Sequence, residues 1–131
     1  MKYLKGTLLL LVVTTAIAVW NVEAGSLNFQ NIKIPAFKNN YISAQVKKAT
    51  TQAQSIKKTS CKDDWSGDGR VITARTRNMY GGDNYSEWIE VPYSYNTWGS
   101  SNREISYYTV HLQSDKWLAS TATFNGTWIY N

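Results

Sequence analysis

Side-chain character alternates at period two along much of this chain, and no other feature limits its fold more. Residues 71–77 (VITARTR) put Ile72, Ala74 and Thr76 on one side and Val71, Thr73, Arg75 and Arg77 on the other. That spacing suits a half-buried strand, because successive strand side chains point to opposite faces. The Ile72/Ala74/Thr76 side is the one that can be buried. Residues 105–112 (ISYYTVHL) alternate in the same way, with Ile105, Tyr107, Thr109 and His111 facing one way and Ser106, Tyr108, Val110 and Leu112 the other. At the C-terminus, residues 117–124 and 127–130 flank Asn125-Gly126. This pair favours a two-residue type I′ turn, in which both positions need positive φ. A C-terminal hairpin is expected there. The polar stretch 113–116 predicts a second hairpin just before it, so the end of the chain reads as a meander.

Upstream the pattern weakens without changing class. Residues 27–34 read as extended and end at Pro35. Residues 87–91 resume a strand, Pro92 marks its end or an edge, and 95–103 read as a loop. Ile42, Val46, Ala49, Ala53 and Ile56 fall at helical spacings, but two of the five are only alanine and Thr50-Thr51 suits a helix interior poorly. The competing reading, two strands at 41–48 and 55–61 around a polar turn, is preferred. About seven short strands with frequent turns predict an all-β fold, a small antiparallel β-sandwich.

Residues 1–24 read as a cleaved signal peptide. Lys2 and Lys5 precede an apolar core over 8–19, and Val22-Glu23-Ala24 suits cleavage before Gly25. The apolar stretch is well short of the ~20 residues that a membrane-spanning helix needs. Residues 25–131 are left as one β-rich domain, expected to be secreted and extracellular. The single cysteine, Cys61, excludes an intramolecular disulfide framework. A buried thiol in a monomer is favoured over a Cys61-linked dimer.

The formal net charge of +5 conceals a segregation. Seven lysines and no acid lie between Gly25 and Lys62, whereas five bases and eight acids follow. Aromatics run the other way, three between Gly25 and Lys62 and thirteen after. The lysine pairs Lys47/Lys48 and Lys57/Lys58 are candidate contacts for an anionic cell-envelope polymer or lipid. Tyr95 and Trp98, in a glycine- and serine-containing loop, are candidate exposed contacts, since such rings couple an apolar face to a polar edge. Lysines and aromatics are not interleaved as single-stranded nucleic-acid grooves prefer, so nucleic acid is not an expected partner.

Catalysis finds little support. Glu87, Glu90 and Glu104 form no distinctive carboxylate pair, and Cys61 and His111 lie in no nucleophile motif. No P-loop, dinucleotide-binding glycine pattern or HExxH implies a cofactor. Asp64, Ser66 and Asp68 supply oxygens at alternate positions before Gly69, as in the first half of a calcium loop. The position where an EF-hand places its bidentate acid is Arg75, so a complete loop is excluded and only a looser oxygen site could exist.

The leader, the Phe29…Ile34-Pro35-Ala36-Phe37 segment, Tyr41, the Lys48-Ala49-Thr50-Thr51 run and the Tyr/Trp-rich end together resemble small secreted β-proteins of Gram-positive bacteria. The chain is also similar in plan to lactococcin 972-like bacteriocins, a resemblance that implies a secreted β-sandwich and no particular site residues. The expected function is a non-enzymatic protein that contacts a bacterial envelope, in bacteriocin-like fashion. The alternative is a carbohydrate- or surface-binding module of the producing cell.

Overall fold

A computed structural model describes residues 25–81 and 84–131; the expected signal peptide, 1–24, lies outside the described residues. Nine strands and no helix occur among them: β1 Ser26–Ile34, β2 Tyr41–Ile42, β3 Val46–Lys47, β4 Ser55–Asp63, β5 Ile72–Asn78, β6 Ile89–Glu90, β7 Asn96–Thr97, β8 Tyr107–Ser114 and β9 Ala122–Ile129. They form two antiparallel sheets, one ordered β1-β9-β4-β7 and the other β2-β8-β5-β6, with β3 also pairing with β8. The fold is an all-β antiparallel sandwich. Of the two readings of residues 41–56, strands are the one realised, and the helical stripe does not form.

Binary patterning explains the layers. In β5 the Ile72, Ala74, Thr76 and Asn78 side is buried while Thr73, Arg75 and Arg77 stay half-exposed, as their alternation requires. From β8, Tyr108, Val110 and Leu112 face the same core, and from the opposing sheet come Phe29, Ile34, Ile56, Phe124 and Trp128. Phe29 meets Tyr41 and Phe124 edge-on, with ring centres 6.1 and 6.0 Å apart. Trp98 and Val91, from connections outside the long strands, complete the cluster.

The C-terminal hairpin does not form. Asn125-Gly126 lies inside β9, a continuous strand paired with β1 on one side and β4 on the other. Neither residue has positive φ. Two full ladders along eight residues outweigh the local preference of one dipeptide for a turn. The glycine has a different cause: a Cβ at Gly126 would collide with the Lys57 carbonyl oxygen and lie 2.7 Å from the Phe124 ring. Both neighbouring strands bulge at this point, β1 between Phe29 and Ile32 and β4 between Lys58 and Ser60. Each extra residue reverses the alternation, and so returns Ile32 and Cys61 to the core side. The expected meander is also absent, because β8 and β9 belong to different sheets and residues 115–121 cross between them.

A turn with the type I′ pattern does occur, at an unexpected place. Asn39 N donates to Ala36 O at 3.2 Å, and the two residues between, Phe37 and Lys38, have φ of 62° and 56°. Neither is glycine or asparagine, so each carries a left-handed backbone at a cost of about 1–2 kcal/mol.

Candidate functional site

The structure divides the sequence candidates between interior and surface. Lys48 is fully buried, and its ammonium donates to the carbonyl oxygens of Thr50 (2.7 Å) and Gln52. Burial, then the charge of Arg103, holds its pKa below the ordinary lysine value. Lys58 is also buried and donates to Arg70 O at 3.1 Å. Trp98, expected to be exposed, is 1% exposed and donates its indole N–H to Glu87 O at 3.0 Å. These three are internal braces, and their side chains are not presented to a ligand. Their loop and strand context concealed this, because burial there depends on residues distant in sequence. Lys47, Lys57 and Tyr95 do reach the surface, with Lys57 4.8 Å from the Tyr95 ring centre and Lys47 5.8 Å from that of Tyr107. Cys61 is 1% exposed, and burial pushes its thiol up to about 11.

The three residues of the calcium candidate are exposed, and only the Asp64 carboxylate is engaged by neighbouring side chains. Asp64 accepts from Lys33 (3.1 Å), Thr121 (2.5 Å) and Thr123 (2.6 Å). Asp68 N donates to Ser66 Oγ at 3.1 Å. Asp63 is held by the Arg70 guanidinium and the Ser120 hydroxyl, and accepts from the N–H groups of Trp65 and Ser66. These hydrogen bonds, led by Ser120 for Asp63 and by Thr121 for Asp64, hold both carboxyls below the usual range. No group of three acidic, histidine or cysteine side chains able to hold a metal ion occurs among the described residues.

The strongest cluster of unused chemistry lies on the outer face of the β8 sheet. Register places Arg75 opposite His111, Arg77 opposite Thr109, Ile42 opposite His111 and Lys47 opposite Tyr107. The Arg75 guanidinium lies 3.9 Å from the Tyr85 ring centre and 4.6 Å from that of Trp88, and the Arg77 guanidinium lies 5.6 Å from Tyr85. Tyr85 in turn meets the His111 ring edge-on at 5.6 Å, and Tyr80 meets Tyr107 at 5.7 Å. Among the described residues, neither guanidinium has a carboxylate within salt-bridge distance. Their Nε atoms are covered and unpartnered, as is Nε2 of His111. Burial, then the positive charge of Arg75 and Arg77, holds the imidazole below its ordinary pKa.

The ring contacts restrict the guanidiniums, Arg75 closely and Arg77 more loosely, so less side-chain freedom is lost when an anion binds. Two residues apart on one strand face, the arginines stand roughly 7 Å from one another, a spacing that lets two anionic groups bind at once. The sequence carried this signal in the Thr73/Arg75/Arg77 side of the alternation. Alternation alone marks that side as the exposed one, and the contributions of Tyr85 and Trp88 depend on tertiary pairing. No protein-family model matches the chain, and neither a curated protein nor a solved structure matches it.

Proposed function

We propose that this chain is an exported, non-enzymatic module that binds an anionic polymer of the bacterial envelope across the outer face of the β8 sheet. The observation that carries the reading is the pair Arg75 and Arg77, held on Tyr85 and Trp88 with no carboxylate partner among the described residues. A positive surface of this kind attracts a polyanion, and salt weakens that attraction. Export rests on the leader over 1–24, and a monomer is supported by the inward-facing, weakly acidic Cys61 thiol. The test is titration of the protein with a purified glycerol-phosphate wall polymer at increasing salt. Tight binding that weakens steeply with salt is expected; binding to the polymer that ignores both salt and the two arginines refutes the assignment. Killing of related strains by the same preparation would extend the reading to bacteriocin-like antagonism.

One observation favours the carbohydrate-binding alternative. An open hollow of about 330 Å³ lies on the outer face of the β9 sheet at the two bulges, lined by Asn28, Gln30, Thr59, Ser60, Asn125 and Thr127. Its amides and hydroxyls suit a neutral glycan. Salt-insensitive binding to uncharged wall polysaccharide, lost on substitution of Asn125, would select this second reading.

A further inference from the structure

Three connections meet at one end of the sandwich. The β1–β2 connection is tied to the β8–β9 connection by Phe37 N donating to Leu118 O at 2.7 Å. The β4–β5 connection joins them through Asp64 N to Thr121 O (3.0 Å) and Asp115 N to Val71 O (3.2 Å). Each raises apolar surface into solvent. Trp65 is 78% exposed and Trp117 67%, with Phe37, Leu118 and Val71 also exposed. Phe37 and Trp117 pack on one another with ring centres 4.7 Å apart, so part of this surface is already a joined patch. Phe37 is displayed from the left-handed turn described above, a conformation that favours asparagine and glycine instead.

Charge at this end is mixed, because Asp68 is exposed and the half-buried Asp115 directly precedes Lys116. Asp63 and Asp64 are drawn down onto Arg70, Ser120, Lys33 and the threonines. Lys38 follows Phe37 directly and Lys116 precedes Trp117 directly, and both are exposed with no carboxylate partner among the described residues. Aromatic rings flanked by lysines suit a lipid interface, where the ring sits at headgroup depth and the ammonium reaches the phosphates. A protein groove fits less well, since the rings rise from three separate loops and no flat strand edge accompanies them.

We infer that this end of the sandwich is a membrane-docking tip, in which Trp65, Trp117 and Phe37 enter the interface of an anionic bilayer and Lys38 and Lys116 contact its headgroup phosphates. This surface is distinct from the arginine face and does not depend on it. The test uses residues 25–131, which hold the nine strands and the core seen among the described residues, with phosphatidylcholine vesicles with or without phosphatidylglycerol. Co-sedimentation with the anionic vesicles is expected, together with tryptophan quenching by brominated lipid. Combined Trp65→Ala and Trp117→Ala substitution lowers vesicle partitioning by at least about ten-fold, given the area such rings bury, while thermal stability is unchanged. Replacing Phe37-Lys38 by Asn-Gly relieves the turn, so it raises the melting temperature and still weakens vesicle binding. Absence of binding by the parent protein, unchanged partitioning in the double variant, or self-association through these rings in sedimentation would each overturn the inference.

Discussion

The outer faces of the two sheets solve the same problem in opposite ways. On the β9 sheet, polar side chains satisfy one another: Asn125 Oδ1 accepts from Asn31 N (2.9 Å), Asn125 Nδ2 donates to Ser60 Oγ (3.2 Å), Thr127 Oγ1 donates to Asn28 Oδ1 (2.8 Å) and Ser55 bonds Thr97 (2.8 Å). On the β8 sheet, two guanidiniums rest on aromatic rings and leave their charge unpaired among the described residues. The first face spends much of its hydrogen-bonding capacity on its own geometry and carries neutral amides and hydroxyls. The second holds its cations in place while their charge stays available. Fixing a group and neutralising it are separate acts, and a face that does the first without the second is prepared for an anionic partner.

The largest effect expected from breaking this contrast is at Gly126. Gly126→Ala drives a methyl into the Lys57 carbonyl and the Phe124 ring, and should destabilise the protein by about 3 kcal/mol, read as a lowered urea midpoint. On the opposite face, Arg75→Ala with Arg77→Ala should lower polyanion affinity about ten-fold or more with little change in melting temperature. The matching control, Lys33→Ala on the β9 sheet, should change affinity less than about two-fold, because that lysine is already paired with Asp64. An equal loss in both would erase the distinction.

Acidity separates the faces again. The imidazole of His111 is held below its ordinary pKa, so the unfolded chain takes up that proton first. Stability should therefore be level above pH ~6.5 and fall below it, and His111→Gln should remove that fall in a series of melts. Asp63 and Asp64 are depressed and stabilise the fold above the unfolded carboxylate pKa. Their contribution should be lost only as pH drops below about 4. The smallest effect belongs to Thr127→Val, which removes one exposed hydrogen bond to Asn28 and should cost about 0.5 kcal/mol.

What the sequence made legible was whatever depended on neighbours two residues away. The alternation of residues 71–77 correctly sorted the buried and exposed sides of β5, and Pro35 correctly bounded β1. The misreadings share a cause. Asn125-Gly126 carries a strong local turn preference, yet its environment is set by Phe29, Lys57 and Ser60, which are distant along the chain. Trp98 lies in a loop-like stretch, but Glu87 and the core enclose it. The lysine pairs look equivalent, but strand pleating sends Lys58 inward in β4, and Lys48, just past β3, is buried against the Thr50 and Gln52 carbonyls. The arginine face was half legible, since its strand was evident and its aromatic covering was not.

The wiring of the β9 sheet has a consequence for how the chain acquires its shape. β1 and β4 have no ladder with each other, and both are joined through β9, whose residues pair as distantly as Ser26 with Ile129. β9 follows the other eight described strands in sequence, so β1 and β4 are joined only once residues 122–129 are in place. Pairing across such separations is also slow. The centre of this sheet therefore forms late relative to pairings between strands that lie nearer in sequence.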